Sequence, residues 1–328
     1  MLQLTDSKIS ALKRLSSENG IIGALAIDQR GSLKKMLAEG STGGVGDEGI
    51  VLFKELVSQE LTPYATSILL DPEYGLPAAK ARHPEAGLLV AYEKTGYDAA
   101  AAGRLPDLLE DWSVKRLKEA GADAIKFLLY YDVDEDEKIN AYKHVYMERV
   151  GSECMAVDIP FFLEIITYDS ELDDVKSIEY AKVKPRKVIE AMREFSKPQY
   201  QVDVLKVEVP VDMNFVEGYT NGETAYDKKR AAAYFKEQSE ATKLPFIFLS
   251  AGVSAELFQK TLKFAKDSGS TFNGVLCGRA TWKNGVAPFS EKGPEAGRAW
   301  LQDTGRKNIQ ELNEVLNETA SPWFEKLS

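Results

Sequence analysis

A single (β/α)8 barrel with extra terminal helices, spanning residues 1–328 as one domain, is the fold class this sequence predicts. Three observations predict it. Eight short runs rich in Val, Ile, Leu and Phe alternate with stretches of helical periodicity. No Pro/Gly/Ser-rich linker, internal repeat or low-complexity tract divides the chain. No apolar run leads into a G-x-G-x-x-G or G-x-x-x-x-G-K-[ST] loop, which disfavours the doubly wound open sheet that shares the same alternation.

The elements follow in order. Thr5, Asp6 and Ser7 ahead of Ile9, Leu12 and Leu15 read as a capped amphipathic helix, ended by Asn19-Gly20. A strand at 21–27 runs into Asp28-Gln29-Arg30-Gly31, and helical periodicity returns over Asp47–Leu61. A second strand at 65–70 ends at Asp71-Pro72 and a third at 87–92 ends at Glu93. Residues 94–106 form a loop of more than average length, either a substrate loop or a solvated excursion.

After a helix at 112–120 stopped by Gly121, the fourth strand, 122–131, carries Lys126. A helix at 135–157 precedes the fifth strand, 160–168, which carries Glu164. A helix at 185–195, beginning at Pro185, leads to the sixth strand, 202–210. The charge run in the helix at 224–242 reads as a solvated face. The seventh strand and its exit occupy 245–252, a helix 254–267 and the eighth strand 272–279, with mostly helix from about 295.

Composition limits the function. With 44% hydrophobic and 28% charged residues the chain can bury a sizeable core. Its 41 basic and 51 acidic residues give a net charge of -10, which argues against nucleic acid or an anionic membrane as partner. Any phosphate must then meet a local basic pocket. Cys154 and Cys277 are the only cysteines, and no secretory or membrane-spanning run is present, so a reduced, cytoplasmic protein is expected. His83 and His144 are the only histidines and read as surface or structural, leaving no cluster for a zinc site of nitrogen and sulfur donors.

The charges inside the strands carry the functional signal. Strand alternation sends Val204, Lys206 and Glu208 to one face and Leu205, Val207 and Val209 to the other. A buried ammonium must pair or lose its proton, so Lys206 is either ion-paired with Glu208 or another inward carboxylate, or chemically used. Functional groups of a barrel gather at the carboxyl ends of its strands, which selects Asp28, Asp71, Glu93, Lys126, Glu164, Lys206, Ser250 and Arg279.

Lys126, Glu164 and Lys206 sit at comparable depth on neighbouring strands and are expected to converge. A nucleophilic lysine has to be neutral, against an ordinary pKa of about 10.4, and desolvation and a nearby Lys126 ammonium would both lower it. A neutral Lys206 can form a Schiff base with a ketone, with Glu164 shuttling protons. Ser250-Ala251-Gly252 and Cys277-Gly278-Arg279 end strands seven and eight; they either allow tight turns or, with one guanidinium beside them, hold a phosphate.

On these residues the chain resembles the bacterial class I tagatose 1,6-diphosphate aldolase family over nearly its whole length. The matching segments are Ala26-Ile27-Asp28-Gln29-Arg30-Gly31, Ala124-Ile125-Lys126, Phe162-Leu163-Glu164, Val204-Leu205-Lys206-Val207-Glu208, Leu249-Ser250-Ala251-Gly252 and Gly278-Arg279-Ala280-Thr281-Trp282. The resemblance implies that Lys206 forms the Schiff base and Glu164 transfers protons. It further implies that Asp28, Gln29 and Lys126 face substrate hydroxyls and reacting carbons, and that Ser250, Gly252, Gly278 and Arg279 hold the phosphate next to the ketone.

The implied reaction is reversible cleavage of D-tagatose 1,6-bisphosphate to dihydroxyacetone phosphate and D-glyceraldehyde 3-phosphate, with no metal ion or other cofactor. Arg30 and the loop at 94–104 are candidates for the second phosphate, and a homodimer is expected. Three alternatives stay open: another ketose phosphate, such as fructose 1,6-bisphosphate or a sulfosugar phosphate; a sugar-phosphate sensor; and a metal-dependent enzyme using Asp28, Asp71, Glu93 and Glu164 as oxygen ligands, which two lysines at the same depth oppose.

Overall fold

The computed structural model of the chain describes residues 4–39, 46–94, 101–172, 174–220 and 222–327. Eight parallel strands close into a barrel: β1 Ile22–Ala26, β2 Ser67–Leu70, β3 Gly87–Ala91, β4 Ala124–Tyr131, β5 Phe161–Thr167, β6 Val204–Val207, β7 Phe246–Leu249 and β8 Gly274–Cys277. Each pairs with the next, and β8 closes on β1 with Ala24 opposite Leu276. Helices follow the strands and pack outside, so the expected (β/α)8 architecture is the observed one.

Alternation sorts the strand residues into two cores. Ala24, Ala26, Leu69, Leu89, Ala91, Ala124, Phe162, Val204, Ile247 and Leu276 form one buried cluster, the filling of the barrel. Their neighbours Leu25, Ile68, Val90, Ile125, Leu163, Leu205, Val207, Phe248 and Val275 belong to a second, larger cluster with the helices. The inner cluster also takes in Leu12, Leu15 and Trp323. Trp323 donates from its backbone to the Gly20 carbonyl (2.9 Å) and from its indole to Ser16 (3.0 Å), so segments near both ends of the chain cap the floor of the barrel, where the strands begin.

Several boundaries differ from the sequence-based expectation. Helices Gly31–Glu39 and Leu76–Ala81 follow β1 and β2 where none was expected; nine and six residues are too few to establish a period. The helix expected to begin at Pro185 starts at Ile178, where the Ser177 hydroxyl caps the Tyr180 amide, and Pro185 lies inside it. A mid-helix proline costs about 3 kcal/mol. Burial of Tyr180, Ala181, Lys184, Val188 and Met192 along one face offsets it. Of the loop at 94–106, residues 95–100 lie outside the described residues. Among the described residues no helix is long and apolar enough to cross a membrane.

Candidate active site

Continuing the inward alternation one step past the apolar filling places the chemistry. Ala26 leads to Asp28, Ala91 to Glu93, Ala124 to Lys126, Phe162 to Glu164, Val204 to Lys206 and Leu276 to Gly278. All six stand at the carboxyl ends of their strands or on the strands' inward faces. Asp71, two residues past Leu69, breaks the series: it forms a fully buried ion pair with Lys54 of the helix Asp47–Leu61 and accepts the Tyr74 amide (2.8 Å).

Lys126 is the hub. Its ammonium donates to Glu93 Oε1 (2.7 Å) and Asp28 Oδ2 (3.0 Å) and lies 2.7 Å from Glu164 Oε2. The other oxygen of Glu164, Oε1, lies 2.7 Å from Lys206 Nζ. One carboxylate therefore bridges the two lysines, an oxygen to each. With two of its three hydrogens directed to Asp28 and Glu93, the Lys126 ammonium has one left for the buried Glu164 Oε2.

Electrostatics hold the carboxylates ionised. Burial raises the pKa of Asp28, but the Lys126 and Lys206 amines outweigh it and hold the carboxyl well below its ordinary range. Glu164 is lowered for the same balance of reasons. Burial opposes the charge of Lys126, and Asp28, Glu164 and Glu93 together hold its pKa well above the ordinary lysine value. The expectation that Lys126 would repel Lys206 meets a different charge count, because three carboxylates compensate Lys126.

Glu208 is not the partner of Lys206; it accepts from the Thr167 amide (2.8 Å) and pairs with Lys184 (3.1 Å). Glu93, read from sequence as one of the polar groups at the strand ends and a possible metal ligand but not as a partner of Lys126, belongs to the cluster. Its signal was present in its spacing from Ala91, the spacing of Asp28 from Ala26. Gln29 lies beside Asp28 with its buried Oε1 unpartnered. Arg30 is turned away: its guanidinium pairs with Glu73 and donates to the Glu93 carbonyl (2.8 Å), which removes it as a ligand for a second phosphate.

Across the mouth, the exits of β7 and β8 form one corner. Val253 N–H donates to the Ser250 carbonyl (3.1 Å) across a turn whose two central residues, Ala251 (φ 49°) and Gly252 (φ 77°), are both left-handed. A Cβ on Gly252 would stand 3.3 Å from the Arg279 guanidinium, and one on Gly278 would stand 2.8 Å from the Ala26 carbonyl. The two glycines thus let Arg279 lie against the turn and let β8 leave close to β1. Arg279 is exposed, and among the described residues no carboxylate pairs with it. The Ser250 hydroxyl is within reach of the Cys277 thiol, whose pKa burial pushes up.

The remaining candidates are structural. His144 packs among Tyr131, Phe195 and Tyr200 and bonds the Tyr131 hydroxyl (3.0 Å). Cys154 and Cys277 are buried and unbridged. Among the described residues no group of three or more His, Cys, Asp or Glu side chains is placed to hold a metal ion. Where Asp28, Glu93 and Glu164 converge, the Lys126 ammonium stands.

A closed parallel barrel with its ionisable groups gathered at the carboxyl ends of its strands is the layout of a (β/α)8-barrel enzyme. The model of the DeoC/LacD family of aldolases matches residues 22–284. Tagatose 1,6-diphosphate aldolase 2 of Enterococcus faecalis is 68% identical over 327 residues, covering 100% of this chain and 98% of that one. Tagatose 1,6-diphosphate aldolase of Staphylococcus haemolyticus is 62% identical over 322 residues, covering 98% and 99%. Among solved structures, fructose-bisphosphate aldolase from Plasmodium falciparum shares the fold at a TM-score of 0.71 with 17% identity, covering 98% of each chain. The chain belongs to the DeoC/LacD family of aldolases.

Proposed function

We propose that the chain reversibly cleaves D-tagatose 1,6-bisphosphate to dihydroxyacetone phosphate and D-glyceraldehyde 3-phosphate through a Schiff base on Lys206. The observation that carries this reading is Glu164 set between Lys206 and Lys126, 2.7 Å from each. The attacking amine must be neutral. Glu164 is the group through which the Lys206 proton leaves and the one that returns a proton to the departing carbinolamine hydroxyl. The resulting iminium withdraws electrons from the bond between C3 and C4 as it breaks.

In the same reading Asp28 and Lys126 meet the hydroxyls of the separating carbons, and the unpartnered Oε1 of Gln29 accepts a substrate hydroxyl. The phosphate next to the ketone sits in the β7–β8 corner, on the amides of the Ser250–Val253 turn and Gly278 and on the Arg279 guanidinium. The three carboxylates of the cluster would repel that phosphate, which is why its ligands stand apart at the rim. The setting is the cytoplasm, in the tagatose 6-phosphate branch of lactose and galactose breakdown, as a homodimer.

The test is a cleavage assay over a panel of ketose phosphates that includes the tagatose and fructose 1,6-bisphosphates and a sulfosugar phosphate, with and without EDTA. Turnover of tagatose 1,6-bisphosphate that EDTA leaves unchanged is expected, lost in Lys206→Ala. Strong turnover of a different ketose phosphate alone would overturn the assigned substrate, and inhibition by EDTA would overturn the mechanism.

A further inference from the structure

A 1,6-bisphosphate carries a second anion at the far end from the ketone, and Arg30, one candidate for it, is buried on Glu73. The opposite rim of the mouth offers a different cation. Tyr130 lies four residues beyond Lys126 on the inward face of β4, roughly 13 Å further up the barrel at about 3.3 Å per residue. Tyr168 stands four residues beyond Glu164, just past β5. Over these two rings lies the guanidinium of Arg104, 4.2 Å from the Tyr168 centroid and 5.5 Å from that of Tyr130.

The arginine is held there by its surroundings. Its backbone is left-handed at φ 43°, following Gly103 at φ 77°. The Tyr168 hydroxyl accepts from the buried Lys143 amine (2.9 Å), donates to Glu135 (2.7 Å) and lies 3.4 Å from the Gly103 carbonyl. That network fixes the ring on which Arg104 rests and occupies Glu135 with the Tyr168 hydroxyl. Among the described residues no carboxylate pairs with Arg104. Burial, against the pull of Glu135 and Asp132, lowers the Lys143 amine to about 8, so near pH 7 it remains mostly a second cation, 4.9 Å from the Tyr168 centroid and bonded to its hydroxyl.

We infer that Arg104, seated on Tyr168 and Tyr130, is the specificity-determining residue that takes the phosphate of the aldehyde half of the substrate. The inference rests on the aldolase reading above. The two rim arginines, Arg279 by β7–β8 and Arg104 over β4–β5, then bracket the lysine and carboxylate cluster and hold the two anionic ends away from it. A guanidinium laid flat on an aromatic ring keeps its edge N–H groups free to bond a phosphate in pairs.

The experiment is condensation of dihydroxyacetone phosphate with D-glyceraldehyde 3-phosphate or with unphosphorylated D-glyceraldehyde, by the wild type, Arg104→Gln and Arg104→Lys. In Arg104→Gln, kcat/KM for glyceraldehyde 3-phosphate is expected to fall about a hundredfold, chiefly in KM, with glyceraldehyde changed little and partial recovery in Arg104→Lys. Borohydride trapping of dihydroxyacetone phosphate on Lys206 and the melting temperature are read in parallel. Equal loss with both aldehydes, or no loss with either, overturns the assignment. A wild type that traps no dihydroxyacetone phosphate overturns the aldolase reading itself and takes this one with it.

Discussion

At Lys126 one ammonium faces three carboxylates, and its removal is the most informative change at the scale of single residues. Lys126→Met would leave Asp28, Glu93 and Glu164 buried against one another, costing about 3–5 kcal/mol at pH 7. In the wild type the folded pKa values of Asp28 and Glu164 are depressed, so their contribution is complete above the unfolded values near 4 and is lost as pH falls through the folded ones. Lys126 is raised, so its contribution is present below about 10.4 and is lost as pH rises through its folded value. In the variant the orphaned carboxylates rise instead and take up protons on acidification. Urea denaturation should therefore show the gap to wild type narrowing from pH 7 to pH 5; a gap that widens contradicts the charge assignment. Glu164→Gln keeps the shape but cannot accept a proton, and kcat is expected to fall about 10²–10⁴-fold in a stopped-flow cleavage assay. The sequence left Lys206 as either an ion pair or a nucleophile. The structure pairs it with the residue proposed to serve it as proton carrier, so the two readings coincide at one contact.

At the scale of elements, the exit of β7 is one of the places where a non-glycine residue takes a left-handed backbone, and the exit of β8 packs tightly against β1. Ala251 occupies a left-handed conformation that costs an L-residue roughly 1–2 kcal/mol, so Ala251→Gly is expected to raise stability by up to about 1 kcal/mol in thermal melts while phosphate affinity holds. Gly278→Ala meets the Ala26 carbonyl and must push β8 from β1, so calorimetry should show binding of dihydroxyacetone phosphate weakened at least tenfold. Retained affinity would remove this corner from the phosphate site. The strands themselves were legible because a period of two is short enough to read in four or five residues, and the same period extended by one step reaches Asp28, Lys126, Glu164 and Lys206. Glu93 was equally within reach of that rule. The start of the helix at Ile178 was not legible, because Pro185 is the stronger local mark and the compensating burial of Tyr180, Lys184 and Val188 is tertiary.

Across the whole molecule, the chemistry and the chain ends occupy opposite poles of the barrel. Trp323 is 1% exposed in the floor, among Leu12 and Leu15, while the lysines open at the mouth. Trp323→Ala should cost about 3–5 kcal/mol in stability yet leave kcat of the folded enzyme unchanged; loss of turnover without loss of stability would contradict that separation. Barrel closure could be anticipated from the count and spacing of strands. The tilt that brings Glu93 and Asp28 onto Lys126 from separate strands, and the fold of the rim that lays Arg104 over Tyr168, depend on the closed barrel and have no local signature. The central claim is that Lys206 is the covalent nucleophile. Incubation with dihydroxyacetone phosphate, reduction with borohydride, and digestion for mass spectrometry tests it most directly. One adduct on the peptide carrying Lys206, unaffected by EDTA, is the expected result; no adduct, or adducts scattered over surface lysines, would contradict the account.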